Sequence, residues 1–153
     1  MIKEISTDQE KTEICERILK ALPTWFGLPE STREYIENSK QYLMFAALDA
    51  NEVVGFISLR PTTQQAMEVY VMGIMPKYHR QGIGKQLIEK AEEYIRTRKY
   101  RFLHVKTVSP EAKYESYLKT YAFYKAMGFN DLEVLPLWDE GNPCLLMVKA
   151  INE

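Results

Sequence analysis

Residues 67–88 read MEVYVMGIMPKYHRQGIGKQLI, and this stretch decides the fold class. Its first nine residues include β-branched and aromatic side chains, which favour a strand, and Pro76 ends that strand. From Ile83 onward, apolar residues recur every three to four positions, which indicates an amphipathic helix. The segment therefore predicts a strand, a turn that contains Gly82 and Gly84, and a helix.

The turn before this helix has the features of a phosphate site. Gly82 and Gly84 let the backbone approach a ligand without interference from a Cβ atom. The first N–H groups of a helix lack intrahelical acceptors, and the helix dipole adds positive potential there. Arg80 and Lys85 place positive charge beside these groups. A strand-to-helix turn that binds no ligand is the alternative interpretation.

Two other glycine-containing motifs do not match this turn. A Walker loop would need Gly at position 79 and Ser or Thr at position 86, where His79 and Gln86 stand. A dinucleotide fingerprint would need a third small residue at position 87, where Leu87 stands. Neither a Walker-type nor a Rossmann-type nucleotide site is therefore predicted.

The rest of the chain predicts further strands and helices in mixed order. A hairpin turn is expected at residues 49–52, and Gly128 suits the left-handed end of a helix. Ser31, with Glu34 three residues later, predicts a capping box. This order implies an α/β sheet with helices on both faces. We expect strands over residues 2–6, 42–48, 53–59, 67–75, 102–108, 132–137 and 145–148, and helices that begin at Asp8 and Ser31 and that cover residues 83–95 and 113–127.

Length, charge and cysteine usage exclude several classes of protein. The chain has 153 residues and a formal net charge of -1, so we expect no nucleic-acid binding. No apolar run approaches the roughly 20 residues of a membrane helix, and the polar N-terminus is not a signal peptide. Cys15 and Cys144 lie far apart, and without a secretory signal we expect a reduced, cytoplasmic location. Two cysteines and two histidines without ligand spacing predict no metal site.

Two motifs resemble those of the GNAT acetyltransferases. Residues 67–87 are similar to motif A, whose signature is Arg/Gln-x-x-Gly-x-Gly/Ala, with Gly82 and Gly84 at the glycine positions. His79 stands where Arg or Gln is usual. Residues 121–129, YAFYKAMGF, resemble the second motif, Tyr-x-x-x-Gly-Phe at a helix end. Together the motifs identify the chain as similar to a group of bacterial GNAT N-acetyltransferases.

The resemblance implies a fold and a cosubstrate. The fold is a single GNAT-type domain over residues 1–153, with a central mixed, mostly antiparallel twisted sheet of about six to seven strands. The cosubstrate is acetyl-CoA, whose pyrophosphate binds the turn and whose pantetheine arm pairs with the end of the preceding strand. Tyr117 stands where the family often has an asparagine that contacts the cofactor. The cofactor-binding residues expected from the resemblance and the turn are Met72, Gly73, Ile74, Met75, Arg80, Gln81, Gly82, Ile83, Gly84, Lys85 and Tyr117.

Two residues are candidates for acid–base catalysis. Tyr124 aligns with the family tyrosine that protonates the departing thiolate, and a phenol suits that role. Glu68 occupies a position that resembles the glutamate base of histone acetyltransferases, fourteen residues before Gly82. Packing of Tyr124 and surface exposure of Glu68 are the alternatives. Cys144 and His104 are interpreted as structural residues rather than as a nucleophile and a base.

Aromatic residues mark the expected acceptor side. Trp25 and Phe26, Trp138, and Tyr70 on the strand of Glu68 form the predicted substrate-binding set. Aromatic rings beside carboxylates suit the binding of a cation. Packing of the same rings into the core is an equally weighted alternative. We therefore expect an amine acceptor, a small molecule or a peptide, and a homodimer is not excluded. A non-catalytic acyl-CoA binding or sensing module is the alternative function.

Overall fold

The computed structural model describes residues 1–152, and within them seven strands form one mixed sheet flanked by helices. This arrangement confirms the α/β class and the strand number expected from the sequence. The elements are β1 (Ile2–Ile5), α1 (Asp8–Lys20), α2 (Pro29–Ser39), β2 (Leu43–Asp49), β3 (Glu52–Pro61), β4 (Ala66–Ile74), α3 (Ile83–Thr97), β5 (Phe102–Val108), α4 (Glu115–Ala126), β6 (Asn130–Leu135) and β7 (Cys144–Ala150), with single 3₁₀ turns at Pro76–Tyr78 and Pro110–Ala112.

The strands follow the order β1-β2-β3-β4-β5-β7-β6 across the sheet. The final strand, β7, pairs in antiparallel fashion with both β5 and β6. β6 consequently lies at the edge, and all but the last of its residues are exposed to solvent. No helix within residues 1–152 combines the length and the apolar character needed to cross a membrane.

The chain divides into two compact units, which are described separately. Unit 1 contains residues 1–60 and 69–94, and unit 2 contains residues 61–68 together with the chain from Ile95 onward. The single domain over residues 1–153 stays a prediction.

In unit 1, the helix α1 packs its apolar side onto the strand β4. Ile18 and Leu19 on this side are fully buried. A Cβ atom added to Gly73 would lie only 3.0 Å from Ile18 Cγ2 and from Leu22 Cδ1. Gly73 therefore allows α1 to approach the end of β4, which directly precedes the predicted phosphate turn.

Thr7 caps the start of α1, and its replacement should measurably destabilise the protein. The Thr7 hydroxyl accepts a hydrogen bond from the Glu10 N–H at 3.2 Å. We expect Thr7→Ala to lower the free energy of unfolding by about 1 kcal/mol, because this N–H loses its acceptor. Thr7→Ser keeps the hydroxyl and serves as the control. Urea unfolding measures the difference, and equal midpoints for the two variants would contradict the role of the cap.

The helix α2 begins earlier than the sequence predicted. Its first residue is Pro29 and its N-cap residue is Leu28, without a side-chain cap, so the capping box expected from Ser31 and Glu34 is wrong. Proline at the first helical position has a backbone φ suited to a helix and lacks an N–H that would need an acceptor. Two local predictions are confirmed instead: the hairpin at residues 49–52 and the left-handed backbone of Gly128, with φ of 94°.

Unit 2 contains the antiparallel ladder of β5, β7 and β6 and the helix α4. The ladder pairs Phe102 with Ala150 at one end and Val108 with Cys144 at the other. After α4, Gly128 turns the chain back, and the Lys149 ammonium donates a hydrogen bond to the Met127 carbonyl at 2.7 Å. These contacts fix the end of α4, the helix that carries Tyr124.

Candidate active site

The turn at residues 79–82 has an unusual backbone and directly precedes α3. Arg80 and Gly82 both have a left-handed conformation, with φ of 63° and 81°. The Gln86 N–H donates to the Gly82 carbonyl at 3.1 Å, which makes this the first helical hydrogen bond of α3. The N–H groups of Ile83 and Lys85, like the other N–H groups of this first turn, therefore have no acceptor within the helix. Such a turn at a helix N-terminus favours an anion.

The space above Gly82 fits a phosphate group. A Cβ atom placed on Gly82 would meet no other atom within 4 Å, so the backbone surface there is open. Arg80, Gln81 and Lys85 are exposed beside it, and the Gln81 amide donates to the Lys77 carbonyl at 3.1 Å. The residues present therefore fit the pyrophosphate that the sequence predicted at this turn.

His79 fixes the beginning of this turn to the end of β4. Its Nε2 lies 2.7 Å from the carbonyl oxygen of Ile74. A carbonyl oxygen can only accept, so Nε2 must carry the proton. The Trp25 ring packs edge-on against the imidazole, with centroids 5.8 Å apart and planes at 83°. One backbone carbonyl of the predicted pantetheine-binding segment thus accepts a hydrogen bond from the protein itself.

Unit 1 brings Phe26 and Tyr70 into one aromatic cluster. Tyr35, on α2, joins them, because its ring centroid lies 5.9 Å from that of Phe26 and 5.3 Å from that of Tyr70. Tyr42 contacts Tyr70 on another side at 5.1 Å. Tyr35 and Tyr42 were not predicted from the sequence, because their neighbours along the chain give no sign of a ring contact with Tyr70.

A cation already lies against this cluster. The Arg60 guanidinium lies 4.9 Å from the Tyr70 centroid and 5.9 Å from that of Tyr42. The Asn38 amide donates to the Tyr70 hydroxyl at 3.0 Å. Burial is the largest cause of the raised pKa of Tyr70, while the Asn38 hydrogen bond opposes it. Tyr70 is therefore a neutral phenol at physiological pH.

Glu68 is buried and paired. The Lys106 ammonium donates to Glu68 Oε2 at 2.6 Å, and the side chains are 23% and 5% exposed, respectively. Glu68 stands beside apolar residues in the sequence, but its partner Lys106 was not predicted. A lysine within the apolar strand β5 was the available signal, because a charge at such a position usually has a partner.

The two cysteine thiols are buried and protonated. Burial is the main cause of the raised pKa of Cys144. The nearby Lys106 lowers this pKa, and Glu68 raises it. The pKa of Cys15 is raised to about 11, again chiefly by burial. Both side chains are fully inaccessible to solvent. The structure therefore agrees with the structural role expected for Cys144.

Tyr124 is the most deeply buried of the four tyrosines on and beside α4. Only 5% of it is exposed, and its ring packs at 5.4 Å against both Phe123 and Phe129. Tyr121 donates instead to the Asp131 carboxylate at 2.9 Å. Tyr117 is half-buried, and burial raises its pKa. Phe123 and Phe129 therefore orient the Tyr124 ring within unit 2.

The predicted site residues fall into both units. Trp138 lies in the loop between β6 and β7 and is 37% exposed. The turn residues, the strand residues 72–75, Trp25, Phe26 and Tyr70 belong to unit 1, whereas Glu68, Tyr117, Tyr124 and Trp138 belong to unit 2. Their catalytic and binding roles stay predictions.

Replacing Gly82 should weaken binding of coenzyme A. A valine side chain would occupy the open space above the turn and would strain a backbone with φ of 81°. We expect Gly82→Val to raise the Kd for coenzyme A by about tenfold, which corresponds to the roughly 1.4 kcal/mol of a factor of ten. Calorimetry measures Kd. Gly82→Ala is the control for backbone strain with little added bulk, and an unchanged Kd in folded Gly82→Val would contradict this placement.

Comparisons with known proteins identify the family. The model of the acetyltransferase (GNAT) family matches residues 12–129. A search of curated protein sequences finds no significant match. Similar solved structures include a protein assigned to the GNAT family from Desulfovibrio desulfuricans (16% identity, 99% of this chain and 100% of that one, TM-score 0.82). They also include an aminoglycoside 6'-N-acetyltransferase complexed with coenzyme A (22% identity, 100% of this chain and 98% of that one, TM-score 0.75). A third is the ribosomal-protein-S18-alanine N-acetyltransferase of Escherichia coli (19% identity, 100% of this chain and 96% of that one, TM-score 0.76). The chain therefore belongs to the acetyltransferase (GNAT) family and is an acetyltransferase whose cosubstrate is acetyl-CoA.

Proposed function

We propose that the protein acetylates a primary amine of a small molecule or peptide, and that the amine attacks the thioester directly. The observation that carries this proposal is the state of the two cysteines. Cys15 and Cys144 are buried, and burial raises the pKa of each thiol. A buried, protonated thiol is a poor nucleophile, because the thiolate is the reactive form. Transfer through an acetyl-cysteine is therefore disfavoured.

Two residues are proposed to move protons during the transfer. Acetyl-CoA supplies a thioester whose carbonyl carbon an amine can attack and whose thiolate then leaves. Tyr124 donates a proton to the leaving sulfur, a role that suits a phenol oriented by Phe123 and Phe129. Glu68 receives a proton from the amine through water. The Lys106 ammonium donates a hydrogen bond to Glu68 Oε2, which favours the charged carboxylate that can accept this proton.

The acceptor is proposed to bind beside the loop that contains Trp25 and Phe26. Tyr70 contributes less to cation binding than the sequence suggested, because Arg60 lies over its ring. A second positive charge at that face would be repelled by the guanidinium. A cationic group on the acceptor is therefore proposed to contact Trp25 or Phe26, and Trp138 keeps its proposed role in acceptor binding. A cytoplasmic location and a homodimer stay predictions.

An acceptor screen tests the proposed function. Release of free thiol from acetyl-CoA is measured with aminoglycosides, polyamines, amino acids and peptides that have a free N-terminus. Initial rates are measured while the concentrations of acetyl-CoA and of the acceptor are both varied. Double-reciprocal plots of these rates should give intersecting lines, because both substrates must be bound before transfer. Mass spectrometry after incubation with acetyl-CoA alone should show no acetylated cysteine. Parallel lines with a labelled cysteine would contradict direct attack, and coenzyme A binding without turnover on any amine would favour a sensing module.

A further inference from the structure

His79 connects the phosphate turn to the loop between α1 and α2. Its ring contacts Trp25 in that loop, and its Nε2 donates to the Ile74 carbonyl at the end of β4. We propose that His79 is a positioning residue that couples binding at the phosphate turn to the conformation of residues 23–28. The proposal rests on the proposed function, in which this loop borders the acceptor.

On one side, the exposed residue His79 is hydrogen-bonded to the end of β4 and to the 3₁₀ turn that follows it. Its backbone N–H donates to the Pro76 carbonyl at 3.2 Å, in addition to the side-chain hydrogen bond with Ile74. The next residue, Arg80, has the left-handed backbone that begins the phosphate turn. A ligand that fixes the backbone of Arg80 therefore also restricts the position of the imidazole.

On the other side, backbone hydrogen bonds and packing of Trp25 and Phe26 against the core of unit 1 hold the loop, and its remaining residues face solvent. The N–H groups of Trp25 and Phe26 both donate to the Leu22 carbonyl, and the Thr32 hydroxyl donates to the Phe26 carbonyl at 3.0 Å. Residues 23–24 and 27–28 are exposed. An edge-to-face ring contact changes an equilibrium by about fivefold, which is enough to bias such a loop.

The family motif suggests the variant that separates the two contacts of His79. Glutamine, which is usual at this position in the motif, has an amide that can donate to the Ile74 carbonyl but has no ring to contact Trp25. His79→Gln should therefore keep the turn and lose the coupling. His79→Ala removes both contacts and should weaken coenzyme A binding by about fivefold, the effect of one lost hydrogen bond.

Tryptophan fluorescence reports the coupling without any acceptor. The chain has two tryptophans, so Trp138→Phe leaves Trp25 as the single tryptophan and serves as the reference protein. Titration with coenzyme A should give a saturable change in emission whose midpoint matches the calorimetric Kd. In the double variant with His79→Gln, coenzyme A should still bind while the emission change is lost. An undiminished emission change in that variant would overturn the proposal.

Hydrogen exchange provides a second measurement on the unmodified chain. Coenzyme A should slow amide exchange in residues 23–28, and His79→Gln should abolish this effect at saturating coenzyme A. Equal slowing in both proteins would also overturn the coupling. Neither measurement involves turnover or an acceptor. A failed acceptor screen would therefore contradict the proposed function, but it would not cause the undiminished emission change or the equal slowing of exchange that overturns the coupling.

Discussion

Tyr124→Phe should lower kcat by about a hundredfold, at the lower end of the effect of a positioned proton donor. Only the hydroxyl is lost, so the ring should keep its contacts with Phe123 and Phe129. The Kd for coenzyme A and the melting temperature should therefore change little. Single-turnover measurements with the best acceptor from the screen isolate the chemical step from product release.

Tyr121→Phe is the matched control for this experiment. It removes a hydroxyl from the same helix, but that hydroxyl donates to Asp131. We expect kcat of Tyr121→Phe to equal that of the unmodified enzyme. If Tyr124→Phe also turned over at the unmodified rate in the chemical step, Tyr124 would be a packing residue and not the general acid.

Glu68→Gln should lower kcat/KM by about a hundredfold near neutral pH, because glutamine cannot accept the amine proton. At high pH the amine is already neutral in solution, so the deficit should shrink. A pH profile of kcat/KM measures both effects. If Glu68 only attracts a cationic acceptor, the loss should appear in KM and weaken with salt, and the profile should run parallel to that of the unmodified enzyme.

Lys106→Met tests whether the ion pair of Lys106 with Glu68 contributes to stability, separately from any role of Glu68 in catalysis. Removing the ammonium leaves the buried Glu68 carboxylate without this partner, so the free energy of unfolding should fall by about 3 kcal/mol. Glu68→Gln keeps an oxygen that can accept from Lys106 and should cost less stability. If the loss of activity in both variants simply followed the loss of stability, Glu68 would have a structural role alone.

Local features of the sequence predicted most elements of the fold. The strand Phe102–Val108, the start of α1 at Asp8 and the turn at residues 49–52 were placed correctly. Each depends on hydrogen bonds or side-chain alternation among residues close together in the chain. The start of α2 was placed incorrectly, because both Pro29 and Ser31 are favourable at a helix N-terminus and local preferences alone did not separate them.

For the site, the sequence determined the residue types, and the tertiary structure decided their partners. The glycine turn and Tyr124 are recognisable because their motifs are contiguous. The contacts of Glu68 with Lys106 and of His79 with Trp25 join residues 38 and 54 positions apart. Such contacts depend on strand order and helix packing. The spacing of residues along the chain does not predict either of these. The motifs in the sequence therefore determined the family and the candidate catalytic residues, while tertiary packing decided that Glu68 is a paired, buried carboxylate and that His79 contacts the loop.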